Sequence, residues 1–255
     1  MRLLDALALV ASGAGAGAMN ALAGGGTILT FPALLLLGES ARVANATSTV
    51  ALLPGAAASL AGYRREVSTH RHWLGTLVVP SLLGGAAGSL LLLATPEKIF
   101  ARLAPWLVLF ATALFAFQSW RAGRRAPGSA PAPGGGRRGA VAWVAQFGVA
   151  LYGGYFGAGI GILMLVVLGY LGLTDIHAMN GLKNFFGICI NAVAAAIFVA
   201  GGLVDWPAAL VVLAGAVAGG WTGAHFGRWI GPQRARAAVV VIGTLVGALL
   251  LVRGI

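Results

Sequence analysis

Apolar residues fill this chain in long blocks separated by short clusters of Gly, Pro, Arg and Asp. No block shows the two-residue alternation of a half-buried strand. The pattern predicts ten helical segments, five on either side of one long polar break. The first five run from Leu3 to Leu22, Thr27 to Leu37, Val43 to Gly62, Trp73 to Leu93 and Leu103 to Trp120. The second five run from Gly139 to Tyr155, Ala158 to Gly172, Ala178 to Gly201, Trp206 to Phe226 and Ala235 to Val252. The break, Arg121 to Gly139, combines Pro, Gly and Ser with five arginines and reads as a flexible basic linker. It divides the chain into a first transmembrane repeat (1–120), the linker (121–139) and a second repeat (140–255).

Sliding the second half by about 134 positions aligns AGGGTILTFPALLLLG (Ala23 to Gly38) with FGAGIGILMLVVLGYLG (Phe156 to Gly172), a weak internal repeat. In both halves the second segment is short for an untilted span and follows a glycine cluster, the mark of a broken helix. If these short segments cross the bilayer, each half has an odd number of spans and the halves are inverted. The arginine-rich linker, the loop of Arg64, Arg65 and Arg71, and the loop of Arg228, Arg234 and Arg236 then share the cytoplasmic side, as the positive-inside tendency favours. If the short segments are re-entrant, the Arg228 loop moves outside. Arg42, Lys98 and Arg102 count against the inverted arrangement, which the charge balance still favours.

Composition turns this pattern into a protein class. The chain has 255 residues, 59% of them hydrophobic and 9% charged, and its mean hydropathy is +0.90. A water-soluble fold cannot bury that much apolar surface, so the expectation is an all-α polytopic membrane protein. The formal charge of +11 comes from residues between apolar blocks, where they orient helices in lipid, and nucleic acid is not an expected partner. The opening MRLLDALALV resembles a leader peptide. Asp5 and the counterpart segment in the second half favour a retained first helix. Cys189 is the single cysteine, and together with four scattered histidines it offers no metal-ligand spacing. No serine and histidine pair or aspartate pair lies at membrane depth, so neither enzymatic chemistry nor a cofactor is expected.

Candidate chemistry lies in the polar residues inside the apolar blocks. Asn20 precedes Gly24, Gly25 and Gly26 in the first half, and Gly157 and Gly159 occupy the matching place in the second. Glycines there let a helix unwind and restart, leaving backbone N–H groups that attract an anion. Asn180, Lys183, Asn184, Gly187 and Asn191 recur at three- and four-residue steps and form one polar stripe. Asn45, Thr47, Ser48, Thr49 and Ser59 form the matching stripe in the first half, and the offset of 134 sets Thr49 opposite Lys183. A lysine well inside a bilayer costs about 2.5 to 3.5 kcal/mol on insertion scales, which makes an incidental one improbable, although a lysine near a segment end can snorkel. All six acidic residues lie near segment ends, so no midplane carboxylate is available for sodium or protons. The buried chemistry suits a small anionic substrate held between the halves.

Several of these stretches together resemble the sulfite exporter TauE/SafE family, also called the toluene sulfonate uptake permease family. They are AGGGTILTFPALLLLG, ANATS (Ala44 to Ser48), HRHW (His70 to Trp73) with its partner VDW (Val204 to Trp206), and FGAGIGILMLVVLGYLGL followed by AMNGLKN (Ala178 to Asn184). The resemblance implies a multi-pass transporter of a bacterial-type cytoplasmic membrane, with two related halves, that moves sulfite or small organosulfur anions. It carries over to the two glycine clusters and the two polar stripes, with GAGIG standing in the second half where the first has GGG. An anion channel, a carboxylate permease and a non-transporting scaffold are the alternatives. A homo-oligomer is compatible with all of them.

Overall fold

The computed structural model describes residues 3–22, 25–60, 64–122, 137–230 and 232–253. Within them every element is a helix. Gly24 and the central part of the basic linker fall outside the described residues.

The first half forms α1 (Leu3–Leu22), α2 (Thr27–Leu36), α3 (Ala41–Leu60), α4 (Arg64–Thr69), α5 (Arg71–Ala94) and α6 (Glu97–Ala122). The second forms α7 (Arg137–Tyr155), α8 (Ile160–Tyr170), α9 (Ile176–Ala200), α10 (Trp206–Ile230) and α11 (Pro232–Arg253). All ten expected segments are present. The addition is α4, a six-residue helix in the basic stretch that the apolar pattern left as a loop. Helices α6 and α7 also extend into the expected linker, ending at Ala122 and starting at Arg137.

Four of the described helices contain windows long and apolar enough to cross a bilayer: Leu3–Asn20, Trp73–Ala94, Glu97–Phe117 and Ile176–Ala200. The distribution of side chains suits lipid rather than water. Trp106, Val144, Val166, Leu210 and Leu245 lie exposed on the outer surface, whereas Thr30, Asn45, Thr47, Ser48, Ser81 and Gln146 are buried. Buried hydroxyls find acceptors inside their own helices: Ser81 Oγ donates to the Leu77 carbonyl at 2.6 Å, Thr112 Oγ1 to Val108 at 2.8 Å and Thr49 Oγ1 to Asn45 at 2.9 Å. The chain is a multi-pass helical membrane protein.

Helix packing links the halves more than it separates them. Helix α1 packs along α10 and α5 along α7; α3 meets α9 and α10, α5 meets α9, and α6 meets α11. Glycines make the first two contacts close. A Cβ on Gly17 would overlap the Ala216 carbonyl oxygen and lie 2.8 Å from the Gly220 nitrogen, and one on Gly88 would overlap the Leu151 carbonyl and lie 2.8 Å from the Tyr155 nitrogen. In lipid, apolar side chains gain little by leaving the solvent, so backbone proximity and dispersion contribute much of the association. Gly17→Leu and Gly88→Leu are each expected to destabilise the bundle by about 1–3 kcal/mol through overpacking. Gly75→Ala, with open space around its Cβ, should be neutral or stabilising by up to about 1 kcal/mol. Thermal melting of the purified variants in detergent checks the contrast, and equal melting temperatures would contradict it.

Candidate functional site

Helices α2 and α8 are 10 and 11 residues long, about 15 to 16 Å at 1.5 Å per residue, or half the hydrocarbon thickness. Each starts just after a helix break. A break in lipid frees backbone groups that water cannot satisfy, so its hydrogen bonds have to come from the protein.

At the first break Gly25 has φ of 94° and lies against the ring of Phe115 on α6. The Gly26 N–H donates to Asn20 Oδ1 at 2.8 Å, so the last turn of α1 caps the start of α2. At the second break Gly157 and Gly159 have φ of 81° and 79°. The Tyr152 hydroxyl donates to the Ala158 carbonyl at 2.7 Å. Both ties connect residues six apart in sequence, one holding an N–H and the other a carbonyl. The second break also draws on the first half, because Asn45 Nδ2 on α3 donates to the Tyr155 carbonyl at 3.1 Å. Asn45 is buried, and its Oδ1 has no hydrogen-bond partner among the described residues. Phe156, inside the break, makes an edge contact with Phe31 of α2 at 5.2 Å and lies 6.4 Å from Phe100 of α6.

Two members of the α9 stripe, Asn191 and Lys183, lie beside this region. Gly157 brings the break close to Asn191, whose Oδ1 would lie 4.0 Å from a Cβ at that glycine. Gly161 on α8 leaves room for the stem of Lys183, whose Cδ would lie 3.2 Å from a Cβ there. Lys183, Asn180, Asn184 and Asn191 are all half-buried. Lys183 and Asn191 are eight residues apart, about 12 Å along the helix, so the lysine lies beside α8 and Asn191 beside the break.

The expected site residues thus form local groups. Asn20 joins Gly25 and Gly26, Asn45 joins the second break, Asn191 lies near Gly157 in that break, and Lys183 lies against Gly161 of α8. Ser48 Oγ makes a short hydrogen bond with Thr30 Oγ1 of α2 and is buried with it. Thr49 bonds its own helix. The sequence reading missed Tyr152, whose hydroxyl closes a break. It also missed the buried pair in which Gln146 Nε2 of α7 donates to Ser81 Oγ of α5 at 2.9 Å. A lone glutamine in an apolar helix was a signal that could have revealed that pair.

Interrupted helices, a half-buried lysine on an amide-rich stripe, and an apolar exterior around buried polar side chains define a multi-pass membrane transporter. The chain belongs to the sulfite exporter TauE/SafE family, whose sequence profile matches residues 9–250. It is 27% identical over 240 residues to a probable membrane transporter protein of Haemophilus influenzae, an alignment covering 90% of this chain and 88% of the relative. No solved structure matches it.

Asn20→Ala and Tyr152→Phe each remove one tie across a break and leave a backbone group without that partner. Each substitution is expected to reduce stability by about 1 kcal/mol. Thermal melting of the purified variants tests both, and an unchanged melting temperature in either would show that its tie does not hold the break.

Proposed function

We propose that the protein is a carrier for a small oxyanion, sulfite or an organosulfonate, with access alternating between the two faces of the membrane. The observation that carries this reading is Lys183, half-buried within α9 beside α8, which starts just after the second glycine break. Its ammonium group supplies the positive charge, and Asn180, Asn184 and Asn191 supply amide donors along the same stripe. Among the described residues no acidic one lies in the interior of a long helix: Asp5 and Glu97 occupy first turns, Asp175 caps α9, Glu66 belongs to the six-residue α4, and Glu39 and Asp205 lie in loops. Family membership supports transport, and the family's description supports sulfite as the first solute to test. For a divalent anion a membrane potential of 100 mV contributes about 4.6 kcal/mol, and a negative interior favours export.

The two halves are proposed to be inverted repeats. In support, the packing is nearly unchanged when the halves are exchanged: α1–α10 corresponds to α5–α7, α3–α10 to α5–α9, and α2–α11 to α6–α8, while α3–α9 and α6–α11 correspond to themselves. Loop contacts give independent support. The α9–α10 loop meets the first half near the start of α3, where the Asp205 N–H donates to Thr47 Oγ1 at 3.0 Å. A cavity of about 270 Å³ lies between His70 and Trp73 at the head of α5 and residues 171–175 of the α8–α9 loop. Crossing by α2 and α8 puts the members of each pair on one face, whereas re-entrant α2 and α8 would put them on opposite faces.

In proteoliposomes, Lys183→Gln is expected to abolish sulfite flux while the purified protein keeps its wild-type melting temperature. Undiminished flux in this variant would overturn the assignment of the charge. Saturation and counter-exchange of labelled sulfite are expected of a carrier, and flux that rises linearly with concentration would identify a channel instead.

A further inference from the structure

The two helix breaks end in different chemistry. At the first, the Gly26 N–H is taken up by Asn20 Oδ1. At the second, oxygens are left over. The N–H groups of Phe156 and Gly157 both donate to the Tyr152 carbonyl, at 2.9 and 3.4 Å. Among the described residues no donor then reaches the carbonyls of Gly153 and Gly154 at the end of α7, and both glycines are buried. A further oxygen belongs to Asn45, whose Nδ2 donates to the Tyr155 carbonyl at 3.1 Å. Its Oδ1 has no partner among the described residues, although the residue is only 1% exposed. Another comes from α9. The point where a Cβ of Gly157 would lie is 3.3 Å from the Gly153 carbonyl oxygen and 4.0 Å from Asn191 Oδ1, so the missing side chain leaves a gap beside two oxygens.

We propose that the carbonyl end of the second break is a binding site for an alkali-metal cation, sodium or potassium, held by Asn45 Oδ1, Asn191 Oδ1 and the carbonyls of Gly153 and Gly154. Such an ion accepts neutral oxygens in place of its hydration shell and needs no carboxylate. The C-terminus of α7 adds the negative end of a helix dipole, about half an elementary charge, and unwound carbonyls at a helix break are where carriers with broken helices coordinate cations. Water is the competing occupant. One water molecule would donate to two of these oxygens and leave the others without a partner, whereas a cation is drawn to all of them.

Asn191 serves both ligands, since its Oδ1 faces the break and its Nδ2 remains for an anion. Lys183 lies about 12 Å away along the same helix, so the two positive charges are well separated. Resting on the carrier reading, an oxyanion on the stripe between them is attracted by both, and the cation is the ion bound together with the substrate.

Melting of the purified protein in detergent, without sulfite, tests the site as choline chloride is replaced by sodium chloride or potassium chloride at constant ionic strength. In the wild type at least one of the two salts should raise the melting temperature by an amount on the order of a few degrees, and the rise should saturate because one site fills. Asn45→Leu and Asn191→Leu should each abolish the cation-dependent rise, whatever they do to the starting melting temperature. Asn45→Asp should keep or enlarge it, because the carboxylate retains an oxygen for the ion while losing the donor to Tyr155. If the asparagine only tied the break, the aspartate and leucine variants would behave alike. No saturable rise in the wild type, or a rise that survives either leucine substitution or disappears in Asn45→Asp, would overturn the site. The assay needs no flux. Absence of sulfite transport would therefore sink the carrier reading and leave this measurement standing, whereas sulfite flux without a cation-dependent rise would sink this site alone.

Discussion

The structure depends on one constraint: a backbone amide in hydrocarbon has to find its partner within the protein. Continuous helices meet it automatically, and a helix that stops and restarts does not. At both breaks here, a side chain from the last two turns of the preceding helix ties into the segment beyond. Asn20 accepts from the Gly26 N–H, and the Tyr152 hydroxyl donates to the Ala158 carbonyl. The second break needs a further donor and obtains it from Asn45, on a helix of the other half. The glycines make these geometries accessible, and the polar side chains make them tolerable in lipid.

These ties leave short helices with open shoulders, which is where chemistry can be accommodated. Gly161 gives the stem of Lys183 a place against α8, and Gly157 brings the second break close to Asn191. The cation is thereby held on a rigid helix beside a segment that is itself interrupted. A lysine in a plain helix bundle would have to snorkel to the headgroups or find a buried carboxylate.

Most of the fold was legible in the sequence because a membrane helix announces itself by the length of its apolar run. All ten segments were found, with ends differing by a few residues where capping rather than hydropathy sets the boundary, as at Ala41 and Ile176. The glycine clusters were legible for the same reason, since few other residues permit a restart. Helix α4 was not, because its polar sequence RREVST carries no apolar period. Of the candidate site, the α9 stripe was legible from spacing alone. The partnerships were not: Asn45 with Tyr155, Ser48 with Thr30, Gln146 with Ser81 and Asp205 with Thr47 join positions far apart in the chain. Hydropathy says that a polar residue is buried and leaves open which residue it meets.

The closeness of the glycine contacts decides which parts of the bundle travel together. Backbone meets backbone along α1 and α10, and again along α5 and α7, so neither couple can slide internally without driving carbonyl oxygens into the opposing chain. Each couple takes one member from either half. A hinge placed at the basic linker, with residues before it swinging as one block against residues after it, would tear both couples apart. The stiff bodies of this transporter therefore cut across the order of the polypeptide, as two crossed couples with α3 and α9 packed between them.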